Sequence, residues 1–204
     1  MTSENNVRIA VQKRGRLQDP SLSFIRSLGF EFDTTRLGDL VVKCTNALVE
    51  ILFVRNSDIP EYVKAGVADF GIVGENVIYE RGENYKVVKR LGFGQCKLVI
   101  AFPKKLPRRE IKDLQDERIA TSYPNSLRKF LRQNDVSSSI IEINGSVEIA
   151  PRLGLADAIC DITQTGKTLS ECGLKAIATI FESQAVLIES PFNRKKNNIV
   201  LERI

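Results

Sequence analysis

The amino-acid sequence predicts an α/β fold in two lobes. Short apolar runs, typical of buried strands, alternate with segments of helical periodicity along most of the 204 residues. The segment Gly92-Phe-Gly94 interrupts this alternation, and a second alternation follows it. We therefore expect a double crossover, with residues 1–92 and 179–204 in lobe I and residues 93–178 in lobe II. Such a crossover would create a hinge and a ligand-binding cleft between the lobes.

The first half of the chain contains four apolar runs of strand length. We predict strands at residues 7–11, 40–44, 50–54 and 70–73. A helix over residues 20–28 is expected to end at Gly29. In a second helix Ser57 or Asp58 would act as the N-cap, and Pro60 suits the first turn.

The second half repeats the alternation after a charged connection at residues 103–117. Six apolar runs predict strands at residues 97–102, 118–121, 140–143, 158–162, 175–180 and 185–188. Helices are expected at residues 125–133 and 146–153, and from Leu169 onwards. Because ligands of α/β sheets bind at the carboxyl ends of strands, the loops that follow the strands are the candidate binding segments.

The segment at residues 157–169 carries the strongest chemical signal. An apolar strand runs into Gln164-Thr-Gly-Lys-Thr168, and a helix-like run follows. Unpaired N–H groups at a helix start, a glycine that permits close approach and the hydroxyls of Thr163, Thr165 and Thr168 together favour a bound phosphate. The alternative is an ordinary strand-to-helix turn.

Gly166-Lys-Thr168 does not complete a nucleotide-binding P-loop. That motif requires glycine five residues before Gly166, where this chain has Asp161. A carboxylate beside a phosphate is repulsive unless a metal or a sugar hydroxyl lies between them. Acidic residues before a Thr-Gly loop suit a ribose 5-phosphate, whose 2- and 3-hydroxyls the carboxylates would contact.

Three other segments carry candidate binding residues. Lys13-Arg-Gly-Arg16 follows the first strand, and arginine forks match phosphate oxygens in pairs. Arg36 and Arg55 would add positive charge. Ala68-Asp-Phe-Gly-Ile-Val-Gly74 offers a carboxylate and glycines to a purine or ribose, and Asn144-Gly-Ser-Val-Glu148 places a carboxylate in a first helical turn. Solvated loops and simple helix caps are the alternatives.

Composition removes several classes of chemistry. The chain has no histidine, and its four cysteines form no C-x-x-C pair, so a Cys/His zinc site and a histidine base are excluded. The net charge of +5 suits anionic substrates as well as nucleic acid, whose usual motifs are absent. No run approaches the ~20 apolar residues of a membrane span, and the polar N-terminus lacks a signal-peptide core, so we expect a cytoplasmic protein.

Taken together, these segments resemble the ATP phosphoribosyltransferases, which catalyse the first step of histidine biosynthesis. The matching pieces occur in the family's order and cover about residues 7–188. They are Gln12-Lys-Arg-Gly-Arg-Leu17, Ser57-Asp-Ile-Pro60, Gly66-Val-Ala-Asp-Phe-Gly-Ile-Val-Gly74, Cys96-Lys-Leu98, Arg118-Ile-Ala-Thr121, Asn144-Gly-Ser-Val-Glu148 and Gly154-Leu-Ala-Asp-Ala-Ile-Cys-Asp161, continuing to Thr168-Leu169.

The resemblance implies transfer of the 5-phosphoribosyl group from phosphoribosyl pyrophosphate (PRPP) to N1 of ATP, with Mg²⁺ carried by the pyrophosphate. It also implies a two-lobed α/β core similar to type II periplasmic binding proteins, with the active site in the interlobe cleft. Arg16 and Arg36 would be catalytic, meeting the pyrophosphate and the ATP phosphates. The implied PRPP-binding residues are Asp157, Asp161, Thr163, Gln164, Thr165, Gly166, Lys167 and Thr168. The implied ATP-binding residues are Lys13, Arg16, Arg55, Asp69, Gly71 and Glu148.

The length resembles that of the family's short form, which pairs with a regulatory subunit related to histidyl-tRNA synthetase. However, Gln12-Lys-Arg-Gly-Arg16 is closer to the long-form pattern, so a long-type catalytic core without its regulatory domain is the other interpretation. We expect a homodimer at least, and no inhibition of this chain by histidine alone. The competing hypotheses are a phosphoribosyltransferase for another acceptor and a non-enzymatic two-lobed binding module.

Overall fold

The computed structural model describes residues 6–33, 39–106, 109–192 and 198–204. The chain divides into two compact units. Unit 1 comprises Met1–Ile78, Glu83–Gly94 and Gln184–Ile204, and unit 2 comprises Tyr79–Gly82 and Gln95–Ser183. The two main crossovers therefore lie at 94/95 and 183/184, where the sequence suggested 92/93 and 178/179. The predicted catalytic residue Arg36 lies outside the described residues.

Unit 1 is built on a six-stranded mixed sheet with the order β2-β3-β1-β4-β11-β5. Its strands are β1 Val7–Gln12, β2 Val41–Lys43, β3 Val49–Val54, β4 Phe70–Gly74, β5 Lys86–Arg90 and β11 Ala185–Glu189. Its helices are α1 Gln18–Ser27, α2 Ile59–Lys64 and α6 Asn198–Leu201, and α3 Glu75–Arg81 begins in it. The central strand β1 is parallel to β3 and to β4, whereas β11 is antiparallel to β4.

Alternation along β1 supplies one side chain to each face of this sheet in turn. Ile9 and Val11 belong to a core that includes Ile25 of α1, and the intervening Ala10 belongs to a second core that includes Val63 of α2. Both faces of the sheet are therefore covered. Burial on both faces explains why the central strands are continuous apolar runs in the sequence.

Unit 2 is built on a five-stranded mixed sheet with the order β10-β6-β9-β7-β8. Its strands are β6 Cys96–Pro103, β7 Arg118–Thr121, β8 Ser139–Glu142, β9 Ala158–Thr163 and β10 Leu174–Ser183. Its helices are α4 Pro124–Gln133 and α5 Lys167–Glu171, with 3₁₀ helices at Ile111–Leu114 and Val147–Ile149. Leu127 and Leu131 of α4 pack on one face of the sheet, and Leu169 of α5 packs on the other.

The two sheets share one strand arrangement. The order β3-β1-β4-β11-β5 of unit 1 corresponds to β8-β7-β9-β6-β10 of unit 2, with the same parallel and antiparallel pairings. The sequence Gly66-Val-Ala-Asp69 precedes β4, and Gly154-Leu-Ala-Asp157 precedes the corresponding β9. A short sequence repeat thus marks equivalent positions in the two units.

Most predicted elements are confirmed within two or three residues, and one predicted helix is wrong. The helix expected at residues 146–153 is only a 3₁₀ turn, because Ser146 has a positive φ of 48° and Pro151 lies within the segment. Asp58 occupies the predicted N-cap position of α2, and its side chain makes no cap hydrogen bond there. The connection at residues 103–117 contains a 3₁₀ helix with a buried Leu114. Among the described residues, no helix is long and apolar enough to span a membrane.

Candidate functional site

The predicted phosphate loop connects β9 to α5. Gly166 has a φ of 76°, a conformation that glycine adopts without strain, and it immediately precedes α5. The first-turn N–H groups of α5, those of Lys167, Thr168 and Leu169, have no acceptor within the helix. Gln164, Thr165, Lys167 and Thr168 are exposed. The loop therefore offers backbone and side-chain donors to solvent at the carboxyl end of β9.

Two threonine hydroxyls hold this loop in shape. Thr163 Oγ1 accepts a hydrogen bond from the Gly166 N–H at 2.9 Å, and Thr165 Oγ1 accepts one from the Lys167 N–H at 3.4 Å. A hydroxyl oxygen that accepts a hydrogen bond still has its own proton to donate. Both side chains can consequently position the loop and donate to an anion at the same time.

Asp161 lies just before this loop, on the same face of β9 as Thr163. Its pKa is raised to about 6, mainly by burial and also by the negative charge of Glu148, while the hydrogen bond from the Ile162 N–H at 2.7 Å works in the opposite direction. Glu148 belongs to the 3₁₀ helix that follows β8. The structure therefore brings together two carboxylates that the sequence had assigned to PRPP and to ATP respectively.

Asp157 does not join this group, contrary to the expectation that it lies near the same ribose. It precedes β9, and since a strand rises by ~3.3 Å per residue it lies roughly 20 Å from Gln164. Its carboxylate accepts hydrogen bonds from the Arg118 guanidinium at 2.8 and 2.9 Å and from the Arg118 N–H at 3.0 Å. The side-chain bond to Arg118 is the main cause that lowers its pKa to about 2.

In unit 1, the Lys13-Arg-Gly-Arg16 segment forms a tight loop after β1. The Gln12 side chain accepts a hydrogen bond from the Leu17 N–H at 3.2 Å and lies under Gly15. A Cβ on Gly15 would approach Gln12 Nε2 to 2.5 Å, and the φ of 119° at this position also favours glycine. The glycine between the two arginines is thus required by the loop itself.

Arg16 is anchored by a contact that the local sequence does not indicate. Its guanidinium donates to the carbonyl oxygen of Gly94 at 2.6 Å, and a Cβ on Gly74 would lie 3.9 Å from Arg16 Nη2. Gly74 ends β4, so Arg16 lies at the carboxyl edge of the unit 1 sheet. Lys13 and Arg55 share this edge, because the Lys13 N–H donates to the Val54 carbonyl at the end of β3.

The other two predicted ATP-binding residues of unit 1 do not lie at this edge. Asp69 precedes β4, is buried, and accepts a hydrogen bond from the Arg8 N–H at 2.8 Å. Gly71 lies inside β4, where an added Cβ would lie 2.6 Å from Ile59 Cγ2 and 2.8 Å from Val63 Cγ2 of α2. The predictions for Asp69 and Gly71 are therefore corrected: the first supports the backbone at the amino edge, and the second allows α2 to pack closely.

Sequence reasoning missed the turn that follows β4. Glu75 begins α3 and is buried, and its carboxylate accepts from Arg90 Nε at 2.8 Å and from the Gln184 N–H at 3.4 Å. A Cβ on Gly74 would overlap Asn76 Oδ1. The sequence nevertheless indicated this turn, because Gly74-Glu-Asn76 follows β4 in the same way that residues 164–168 follow β9.

Among the described residues, no group of three or more Cys, Asp or Glu side chains is arranged to hold a metal ion. The negative charge of Glu148 contributes to the raised pKa of Asp161, so these two carboxylates lie within electrostatic reach of each other. A divalent cation between the two carboxylates would relieve their repulsion. Cys160, which neighbours Asp161, is fully buried and packs as a small apolar side chain.

Comparison with known proteins identifies relatives over nearly the whole chain. A family model described as HisG, ATP phosphoribosyltransferase, matches residues 55–204. The ATP phosphoribosyltransferase of Cytophaga hutchinsonii is 45% identical over 198 residues, which is 97% of this chain and 69% of that protein. The relative's own length therefore exceeds the part that this chain matches.

Solved structures agree with the sequence relatives. A chain of the ATP phosphoribosyl transferase (HisG:HisZ) complex from Thermotoga maritima superposes with a TM-score of 0.80 at 29% identity, covering 97% of this chain and 96% of that one. The periplasmic aliphatic sulphonate binding protein SsuA from Escherichia coli gives a TM-score of 0.62 at 15% identity, covering 98% and 70%. The latter shares the fold alone, which confirms the predicted likeness to periplasmic binding proteins. The family match and the 45% identity show that the chain belongs to the ATP phosphoribosyltransferase family.

Proposed function

We propose that the chain transfers the 5-phosphoribosyl group of PRPP to N1 of ATP and releases pyrophosphate, the first step of L-histidine biosynthesis. The observation that supports this most directly is the exposed Gln164–Thr168 loop with Asp161 beside it, in a chain of the ATP phosphoribosyltransferase family. Family membership does not favour the alternatives of a non-catalytic binding module or of another acceptor.

The loop is proposed to bind the 5-phosphate of PRPP. Its first-turn N–H groups, the hydroxyls of Thr163, Thr165 and Thr168, and the Lys167 ammonium supply donors to one anion. The Lys167 ammonium is 3.9 Å from Glu171, an exposed pair that is too weak to prevent a phosphate from recruiting the lysine. Gln164 would add an amide that can donate to a ribose or phosphate oxygen.

Asp161 is proposed to contact the ribose and to stabilise the charge that develops on it. In the reaction, ATP N1 forms a bond to the anomeric carbon while the bond from that carbon to the pyrophosphate oxygen breaks. The anomeric carbon and the ring oxygen become positive in this transition state. Asp161 is largely buried and has no cationic partner among the described residues, so its negative form is disfavoured before the substrate binds. Such a carboxylate gains most from a positive charge that develops beside it.

The basic edge of unit 1 is proposed to receive phosphate groups. Arg16 would stabilise the departing pyrophosphate or the ATP phosphates, and its bond to the Gly94 carbonyl fixes the position of the guanidinium beforehand. Lys13 and Arg55 would contribute positive charge along the same edge. Arg36 remains a prediction of the family resemblance.

Mg²⁺ is proposed to enter with the pyrophosphate of PRPP. Bound in this way, it would neutralise negative charge on the leaving group. Asp161 and Glu148 would meet such an ion, because the negative charge of Glu148 already raises the pKa of Asp161 and a cation would offset it. This chain's own contribution would be to orient the ribose between that pair and the phosphate loop.

We further propose that the chain works in an assembly and in the cytoplasm. The superposed Thermotoga maritima chain comes from a complex of HisG with HisZ, which makes a histidyl-tRNA-synthetase-like regulatory subunit the first partner to test, with a homodimer as the smallest unit. Mixing the two purified proteins and measuring the mass of the product by light scattering would test this association. Two separate peaks at micromolar concentration would contradict it.

An absorbance assay tests the activity directly. The purified chain would be mixed with ATP, PRPP and Mg²⁺, and pyrophosphatase would remove the product pyrophosphate. We expect a rise in ultraviolet absorbance that requires both substrates, and mass spectrometry should identify N1-(5-phosphoribosyl)-ATP. A rise with another nitrogenous acceptor in place of ATP would transfer the assignment to that acceptor. Saturable PRPP binding without turnover, even with the regulatory subunit, would contradict the proposed reaction.

A further inference from the structure

A second basic region lies in unit 2, away from the phosphate loop. A cavity of about 890 Å³ is bounded by the end of β6, the start of β10, the 3₁₀ helix Ile111–Leu114 and the C-terminal end of α4. In the antiparallel β6–β9 pairing, Lys97 lies opposite Thr163 and Ala101 opposite Ile159. The β6 part of the lining therefore lies level with the amino edge of β9, while the Lys104 ammonium reaches α5 and donates to Ser170 Oγ at 2.6 Å.

The cavity walls are strongly positive. Among the described lining residues, the charged side chains are those of Lys104, Arg109, Lys112 and Lys175 and one carboxylate, Glu110. In the part of the chain that the structure describes, Lys112 and Lys175 are exposed and make no ion pair. Arg109 lies near Asp113 and Lys104 donates to Ser170, so Lys112 and Lys175 are the described cations that most raise the local concentration of anions at this concave surface.

Arg109 is the best-positioned of these cations. Its guanidinium carbon lies 5.5 Å from the centre of the Phe102 ring, and its side chain is 28% exposed. Its Nε is buried and has no hydrogen-bond acceptor among the residues that the structure describes. Asp113 is 4.0 Å from the guanidinium and already accepts a hydrogen bond from the Glu110 N–H at 2.7 Å. A buried guanidinium N–H without an acceptor is costly, and an anionic ligand oxygen would satisfy it.

The rest of the lining is apolar. Phe102, Leu106, Ile111 and Ile177 contribute hydrophobic surface, and Leu106 is 39% exposed. Sites for small molecules commonly enclose roughly 300–1,000 Å³ and combine apolar walls with a few directed polar groups. A free inorganic anion would use the cations alone, whereas a ligand with an aromatic or sugar moiety would also cover the apolar walls.

From these observations we infer that unit 2 carries a second binding site, specific for a phosphorylated organic molecule of mononucleotide size. The phosphate lies among Arg109, Lys112 and Lys175, and the organic moiety contacts Ile111 and Ile177. The site is separate from the one that handles PRPP, and it does not depend on the proposed reaction.

Lysine acetylation in the presence of AMP tests the site directly. AMP carries a phosphate and an aromatic base, and mass spectrometry follows each lysine separately. We expect AMP at millimolar concentration to slow acetylation of Lys112 and Lys175 about threefold or more, as expected for ammonium groups held by a phosphate. Lys129, an exposed lysine of α4 outside the cavity, should react at an unchanged rate. Unchanged rates at Lys112 and Lys175 would overturn the inference.

Charge-reversal substitutions in the full chain provide a second test, with a matched control. The double variant Lys112→Glu, Lys175→Glu should weaken one class of AMP sites about tenfold in calorimetry and preserve any binding at the phosphate loop, since like charge now faces the phosphate. Lys129→Glu is the control and should bind as the wild type does. Identical isotherms for the double variant and the control would contradict the site. Protection of the two lysines by poly-glutamate but not by AMP would also overturn it, in favour of an acidic protein partner.

Discussion

The two ends of strand β9 hold aspartates in opposite electrostatic surroundings. At the amino end, Arg118 holds the pKa of Asp157 down to about 2 through a two-pronged ion pair. At the carboxyl end, burial raises the pKa of Asp161 to about 6, and Glu148 adds to the shift. The first carboxylate is paired with an arginine, whereas the second accepts a backbone hydrogen bond from Ile162 and has no cation partner among the described residues. A buried charge without a cation at a strand's carboxyl end is what a ligand with complementary charge can use.

At the amino edge of its sheet, unit 1 also has an aspartate that accepts a hydrogen bond from a backbone N–H. At the carboxyl edge, its residues differ from those of unit 2. Asp69 accepts a hydrogen bond from the Arg8 N–H, as Asp157 does from Arg118, and the Arg8 guanidinium instead contacts Glu50 at 3.1 Å. At the opposite edge, unit 1 presents the basic residues Lys13 and Arg16, where unit 2 presents Asp161 and the phosphate loop. The shared topology therefore supports two different chemistries at its carboxyl ends.

The largest effect is expected at Arg16. Replacing Arg16 by alanine should lower kcat/KM roughly a hundredfold or more, because about 3 kcal/mol of transition-state stabilisation is lost with such a donor. The fold should persist, since the side chain makes its contact to a loop carbonyl rather than to the core. The absorbance assay measures the rate, and circular dichroism measures the melting temperature.

Arg26→Ala is the matched control. Arg26 belongs to the same unit, is exposed, and stacks on Phe32 at 4.6 Å. Its loss should leave turnover unchanged. Wild-type turnover in Arg16→Ala would remove the arginine from the reaction and would weaken the contrast between the two edges of the sheet.

The next largest effect is expected at Asp161. Asp161→Asn should lower kcat/KM for PRPP by roughly 30- to 100-fold, because the carboxylate can no longer stabilise the positive ribose. The same change should raise the melting temperature at neutral pH, because it removes a charge that burial disfavours. A variant that is both more stable and less active would locate Asp161 in the binding machinery. A variant that is less stable would show that the carboxylate supports the fold.

The pH dependence sharpens this prediction. Since the folded pKa of Asp161 is about 6 and its ordinary value is 3.8, the folded chain holds a proton that the unfolded chain has released between those values. Asp161 therefore lowers stability as the pH rises from about 4 to 6. The stability gain of Asp161→Asn should appear above about pH 6 and vanish below about pH 4. In the wild type, kcat/KM should fall as the pH drops through the pKa of Asp161, and in the variant this inflection should be absent.

The sequence was sufficient to predict the strands and to mark residues 164–168 as a candidate binding loop. β7 was predicted at residues 118–121 as it is observed, because its apolar residues are buried and its flanks are polar. The Gln164–Thr168 loop could be predicted as a phosphate site for a similar reason: donors, glycine and hydroxyls are adjacent in the chain. Local patterns succeed where the residues that act together are close in sequence.

The contacts that could not be predicted from the sequence join residues that are far apart in the chain. The bond from Arg16 to Gly94 joins residues 78 positions apart, and the Asp161–Glu148 pair depends on how β8 and β9 are placed in the sheet. The assignments of Asp69 and Asp157 failed for a simpler reason. Both precede a strand, so the strand direction alone places them at the edge opposite to the ligand-binding loops.

Gly71 offers a test of the corrected interpretation of β4. Gly71→Ala should reduce the free energy of unfolding by about 2 kcal/mol, because the new Cβ overlaps the methyl groups of Ile59 and Val63. The KM for ATP should remain unchanged. In an Ile59→Ala background, which removes one of those methyl groups, the same substitution should cost clearly less. An increase in the KM for ATP without loss of stability would restore Gly71 to the nucleotide site.

The smallest effect is expected at Asp157, the counterpart of Asp161. Asp157→Asn should lower the free energy of unfolding by about 1 kcal/mol at pH 7, because the pair with Arg118 is partly solvated, and turnover should be unchanged. The folded pKa of about 2 lies below the ordinary 3.8, so the contribution of Asp157 is present above about pH 4 and is lost as the pH falls towards 2. Denaturant unfolding at pH 7 and pH 3 should show the difference from wild type shrinking. Glu182→Gln, which breaks a more exposed pair with Lys97, should change stability little at either pH. A loss of turnover in Asp157→Asn with stability intact would place Asp157 in the reaction and erase the distinction between the two ends of β9.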